Sequence, residues 1–148
     1  MPKTFEQAGI RMMYPDNWQP VETEAEDATL LTLELPSGGF FSIDHAEDDE
    51  QADHIIEQTA TTIRSEYEDV EQSAYRTEES AGSGSATHAP RPLSGMEMRF
   101  YYLDLLILCR VVLVPRDQGY LVVTMQAESR EFDEREKAFD AMLMQLAG

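Results

Sequence analysis

The stretch "DHAEDDEQADH" gathers residue types that hold divalent cations: Asp44, His45, Asp48, Asp49, Asp53 and His54. Spacing decides what they can do. Zinc sites bring His or Cys together at tight, repeated offsets, and the H-E-x-x-H arrangement is absent. A calcium loop alternates oxygen ligands around a central glycine, which is also absent. Acids crowded at the start of a helix are favoured by its positive end without any metal. We therefore expect a solvated strand-to-helix connection here and no metal ligands.

Nor do other residues assemble a reaction centre. Cys109 sits in "LILCRVV" among apolar neighbours, where a thiol packs; reactive cysteines need accessible, electropositive surroundings. The "GSGS" at 82–85 has neither the lysine nor the following helix of a phosphate loop. No G-x-S-x-G elbow occurs, and no two carboxylates share an apolar strand face. With no nucleophile, base and orienting group to combine, the chain is expected to be non-enzymatic and to use no cofactor.

Arg110 interrupts the same apolar strand and points to the side of Leu106, Leu108 and Val112. A buried arginine needs an acidic partner, and Glu34 or Glu97 could supply it. Alternatively, Arg110 lines an open groove with Arg99 and Tyr101 and holds a carboxylate-bearing ligand. The cost of burying an unpaired charge favours the structural role. Trp18 follows the turn "YPDN", where it can fold back over the core, although tryptophan is also enriched at binding hot spots. His88 and Arg91 lie in a Gly-, Ser- and Pro-rich stretch, residues 80–95, read as a mobile loop. The contact candidates for a partner are Trp18, Arg91, Arg99, Tyr101 and Arg110. A set of methionines, Met12, Met13, Met96, Met98 and Met125, could line an adaptable groove, although such a stripe is more often core.

Composition narrows the partners. Eleven basic residues stand against 29 acidic ones, for a net charge of −18, and only Lys3 and Lys137 are lysines. Nucleic acid and anionic membranes are repelled by such a field. The charge fits a basic partner or the steering of a cation, or a solubilising surface adapted to high salt. One cysteine allows no disulfide within the chain. No run reaches the roughly 20 apolar residues of a membrane helix. Lys3 is followed by Glu6 and Gln7 with no apolar region of a signal peptide, so a cytoplasmic location is expected. The 148 residues suit one domain, 1–148.

These side chains must be carried by a sheet. "GIRMMYP" alternates, with Ile10, Met12 and Tyr14 on one face. "ATLLTLEL" (28–35) turns through "PSGG" (36–39) into "FFSIDHA" (40–46), a hairpin pattern. "EDDEQADHIIEQTATTIRSEYED" carries Ala52, Ile55, Ile56, Thr59, Ile63 and Tyr67 at helical spacing, with Asp48 and Gln51 suited to its cap. "VEQSAYRTEE" reads as a polar edge strand. "MEMRFYYLD" alternates, "LLILCRVVLVP" is apolar on both faces, and "GYLVVTMQAES" returns. A closing helix places Phe132, Phe139, Met142, Leu143 and Leu146 on one side. The expected class is α+β, an αβα sandwich whose central antiparallel sheet of about six strands is flanked by helices.

This order resembles the PsbP-like superfamily, which also includes the Ran-binding Mog proteins and the bacterial DcrB-like proteins. The resemblance is carried by "AGIRMMYPDNW", "LTLELPSGGFFSID", "ADHIIEQTATTI", "GMEMRFYYLDLLILCRVVLV", "GYLVVTMQAE" and "EFDEREKAFDAMLMQL", which together span nearly the whole chain. It implies a PsbP-like fold and a mostly non-enzymatic, protein-binding role. PsbP and many bacterial relatives carry a leader or lipoprotein cysteine, which is not expected here, and no partner-binding residue of a named member maps onto this sequence.

The expected function is a non-catalytic protein-interaction module, a small adaptor or accessory protein whose residues 80–95 order on binding. Two alternatives stand beside it. One is a small-ligand carrier with a pocket between sheet and helix near Arg110; the other is a cytoplasmic adaptor chaperone for a secreted effector.

Overall fold

Side-chain alternation builds the first strands. The computed structural model describes residues 2–7, 9–21, 29–76 and 93–147. β2 (Ile10–Tyr14) buries Ile10, Met12 and Tyr14 and exposes Arg11 and Met13. It pairs antiparallel with β1 (Lys3–Gln7) in a separate two-stranded sheet. β1 has only Phe5 to pack, so its sequence carries almost no strand signal and it was not expected. The reversal at Gly9, with φ of 77°, supplies the pairing that composition does not.

The main sheet contains β3 (Gln19–Pro20), β4 (Thr29–Glu34), β5 (Phe40–Ala46), β6 (Glu71–Arg76), β7 (Ser94–Tyr102), β8 (Leu105–Pro115) and β9 (Tyr120–Glu128). Its spatial order is β3-β4-β5-β9-β8-β7-β6, with every pairing antiparallel. Among the described residues the count is seven where about six were expected, because Gln19 and Pro20 add a short edge beside Glu34 and Leu33. Gly95 lies where β7 presses on β8: a Cβ there would meet the Val111 carbonyl oxygen at 1.8 Å.

Among the described residues, two helices cover the two faces. α1 (Asp49–Glu66) starts at Asp48, whose side chain accepts a 2.8 Å hydrogen bond from the Gln51 amide. The Gln51 side chain in turn accepts from the Glu47 amide at 2.7 Å. Such a reciprocal cap contributes about 1 kcal/mol. α1 seals Ala52 and Ile63 against Met96, Met98, Phe100, Cys109 and Val111. α2 (Ser129–Ala147) starts at Glu128, whose carboxylate accepts from the Arg130 and Glu131 amides. Its buried stripe is Phe132, Phe139, Met142, Leu143 and Leu146, packed on Leu33, Phe41, Val123 and Met125. The architecture is α+β, with the antiparallel sheet between α1 on one side and α2 with the β1–β2 hairpin on the other.

Two features weighed as contacts are core features. Trp18 is 1% exposed, its amide donates to the Pro15 carbonyl at 3.2 Å, and its ring lies 5.6 Å from that of Phe139. The turn is therefore an architectural corner, and Trp18 has no accessible surface to offer a partner. Met12, Met96, Met98 and Met125 are likewise buried, so they fill the core and line no groove; Met13 is exposed by the strand's alternation. Arg91, His88 and most of the 80–95 stretch lie outside the described residues. Among the described residues, no helix is long and apolar enough to cross a membrane.

Candidate functional site

Strand register places the charged cluster. Glu97 on β7 stands directly opposite Arg110 on β8, both facing α2. Arg110 donates from Nε to Glu97 Oε2 at 2.9 Å and from Nη2 to Glu136 Oε2 at 3.0 Å. Its guanidinium carbon lies 4.2 Å from the Tyr75 ring centre and 4.7 Å from that of Phe132. Those faces help offset the loss of water around the charge. Burial opposes that charge, but Tyr75, Glu97 and Glu136 outweigh it and raise the pKa.

Of the two expected partners, Glu97 takes the role and Glu34, exposed on β4, does not. Glu136 was not anticipated, because only the docking of α2 brings it to β8. Arg99 also pairs with Glu97. With Arg110 only 7% exposed, the cluster is a structural clamp, not an open groove for a carboxylate.

Beyond this clamp the β7–β8 hairpin projects an apolar tip. Tyr101, Tyr102, Leu103 and Leu105 are 66%, 51%, 78% and 50% exposed. The turn residues Leu103 and Asp104 have φ of 49° and 67°. Such turns favour Gly or Asn, because a Cβ in this region is crowded. A leucine placed there and left in water costs about 1 kcal/mol or more in strain and gains no burial. The hairpin is nonetheless anchored. Tyr67 stacks on Phe100 at 4.4 Å and meets the Tyr102 ring edge-on at 5.9 Å. Arg99 and Tyr101 lie on the α2 side of this tip, as alternation from Glu97 requires. Tyr102, Leu103 and Leu105 were not singled out in the sequence, since apolar residues flanking a turn without Gly or Pro read as core.

A groove opens on the other face, between α1 and the sheet. It has a volume of about 480 Å³ and is lined by Asp44, Thr59, Glu66, Tyr67, Thr124 and Gln126 among others. Asp44 accepts a 2.5 Å hydrogen bond from the Thr29 hydroxyl. Ser42 and Thr124, paired across β5 and β9, are buried. The small-ligand alternative put its sheet–helix pocket near Arg110; this groove is separated from Arg110 by the sheet itself. Cys109 also lines it, with a thiol pKa pushed up to about 12 by burial.

The acidic stretch is occupied with folding work. Asp48 caps α1, Asp44 holds Thr29, and His45 Nε2 lies 3.3 Å from the Gln118 carbonyl oxygen.

The same arrangement of sheet and helices occurs in cyanobacterial PsbP (CyanoP) from Synechocystis sp. PCC 6803. The two superpose with a TM-score of 0.60 over 97% of this chain and 90% of that one, at 13% identity. This chain has the PsbP-like fold. Looser superpositions are found with PA94, a protein of unknown function from Pseudomonas aeruginosa, and LpqN of Mycobacterium tuberculosis, involved in cell envelope biogenesis. PA94 gives a TM-score of 0.43 at 12% identity, over 97% of this chain and 94% of that one. LpqN gives 0.41 at 13% identity, over 96% and 80%. No family model matches the sequence, and no curated protein does. At these identities the likeness concerns the PsbP-like fold and leaves the function to the surfaces.

Proposed function

We propose that this PsbP-like chain is a non-catalytic accessory module that binds another protein through its β7–β8 tip. The observation that carries the reading is the exposure of Tyr101, Tyr102, Leu103 and Leu105 at one turn, with Leu103 at positive φ. Exposed clustered aromatics and strained backbone both concentrate at binding surfaces. Acids surround the tip: register sets Glu71 beside Arg99 and Glu128 beside Ile107, and Glu68 and Asp69 precede β6. The partner surface is therefore an apolar recess bordered by Lys or Arg. Arg99 and Tyr101 are the expected contact residues that remain at this surface. A reducing compartment, the cytoplasm, suits a chain whose one thiol is buried.

A photo-crosslinking residue placed at Leu103 tests this reading in cells of the source organism. One dominant protein adduct, absent when the same residue replaces Glu57 on α1, is the expected result. Equal adducts from both positions, or none from Leu103, overturn it. An adduct partner that becomes insoluble without this chain would select the effector-chaperone form of the same reading.

A further inference from the structure

We propose that the groove between α1 and the sheet binds a small organic cation, a primary amine or polyamine with a short aliphatic stem. This site stands apart from the β7–β8 tip and does not depend on it. At about 480 Å³ it falls within the range of small-molecule pockets. Its charged lining residues are Asp44 and Glu66, and no cationic side chain is among the described residues that line it. Phe40 and Tyr67 add aromatic rings to the lining, and such rings attract an ammonium group through their quadrupole. Ile55 and Ile63 supply an apolar wall for the stem.

The neutral polar groups have the matching character. The Thr59 hydroxyl donates to the Ile55 carbonyl at 3.0 Å, which leaves its oxygen free to accept from an N–H. Thr124 is only 5% exposed yet lines the groove, and none of the side-chain hydrogen bonds among the described residues uses it. Its hydroxyl can accept from an incoming N–H. Gln58 and Gln126 add amide carbonyls. An anion would meet the carboxylates of Asp44 and Glu66 and, among the described lining residues, no cation. A compact metal ion fits poorly as well, since no group of three His, Cys, Asp or Glu among the described residues is close enough to hold one. The net charge of −18 raises the local concentration of cations and speeds their encounter.

Calorimetric titration of the full chain with spermidine and putrescine at physiological salt tests the proposal, with Mg²⁺ and glucose as comparison probes. The expected result is one saturable amine site, weakened at least tenfold by Asp44→Asn and several-fold by Thr124→Val. Asp53→Asn combined with Glu57→Gln, a larger charge change outside the groove, should leave the affinity within twofold. Equal weakening by that control, equal displacement by Mg²⁺, or binding of glucose without amine overturns it. Should Asp44→Asn fail to fold, amide shifts of the wild type on adding spermidine decide. Shifts confined to Thr59, Thr62, Thr124 and Gln126 support the site, and shifts spread along 47–57 defeat it.

Discussion

Glu97 holds Arg110 across the β7–β8 register at 2.9 Å, in a place where each side chain is 8% exposed. The pair forms because antiparallel register puts residues 97 and 110 opposite each other on the face that α2 covers. Tyr75 and Phe132 then enclose the guanidinium, and Glu136 closes it from α2.

Removing one partner should therefore cost more than removing both. Glu97→Ala leaves a buried charge with Glu136 as its remaining carboxylate, and is expected to destabilise by about 3 kcal/mol. Glu97→Leu combined with Arg110→Met removes the charges together and should cost less than either single change. Urea unfolding of the wild type, Glu97→Leu, Arg110→Met and the double variant measures this; a double variant as unstable as either single would contradict it.

Asp140 should make the protein more stable at lower pH, within the range where other carboxylates permit it. Burial first, and Glu136 second, raise its pKa above the ordinary 3.8, against the lowering effect of Arg110. A carboxyl with a raised folded-state pKa disfavours folding above that pKa and ceases to do so below the unfolded value. Asp140→Asn is thus expected to stabilise at neutral pH, with the gain vanishing as pH falls through the acidic range. Melting curves of both proteins between neutral pH and about pH 3 would show the two converging. A constant difference would mean that charge is not the cause.

Leu103→Gly should raise stability while abolishing partner capture. Glycine accepts a φ of 49° without the Cβ clash, so relief of about 1 kcal/mol is expected. In a chain of this size that is a rise in Tm of about 2–4 °C. A fall in Tm would show that the leucine packs against something in the free protein.

Cys109 should resist thiol reagents in the native state. It is fully buried, and its pKa of about 12 leaves almost no thiolate at pH 8. Labelling is expected to follow global unfolding as denaturant is added. Rapid labelling in buffer would instead reveal opening of the groove beside α1.

Much of this fold is legible in local pattern. α2 buries the five residues its helical spacing selects, and α1 begins at Asp48 with Gln51 in its reciprocal place. β8 is apolar on both faces because helices cover both, while Lys3–Gln7 left no trace because pairing, not composition, makes it a strand. The likeness to PsbP rests on the same order of elements and extends no further than the fold.

The candidate sites divide along the same line. Sequence alone favoured a buried Arg110 paired with an acid over an Arg110 lining an open groove, because burying an unpaired charge is costly. It also determined that Trp18 would follow a turn near the first strand. Tertiary structure decided that the acids are Glu97 and Glu136, that Trp18 faces Phe139, and that Tyr102 and Leu103 stand in water. The physical reason is that periodicity reports which face of an element is apolar. Which neighbour that face meets, and which apolar residues are left without one, depends on register and docking between segments far apart in the chain.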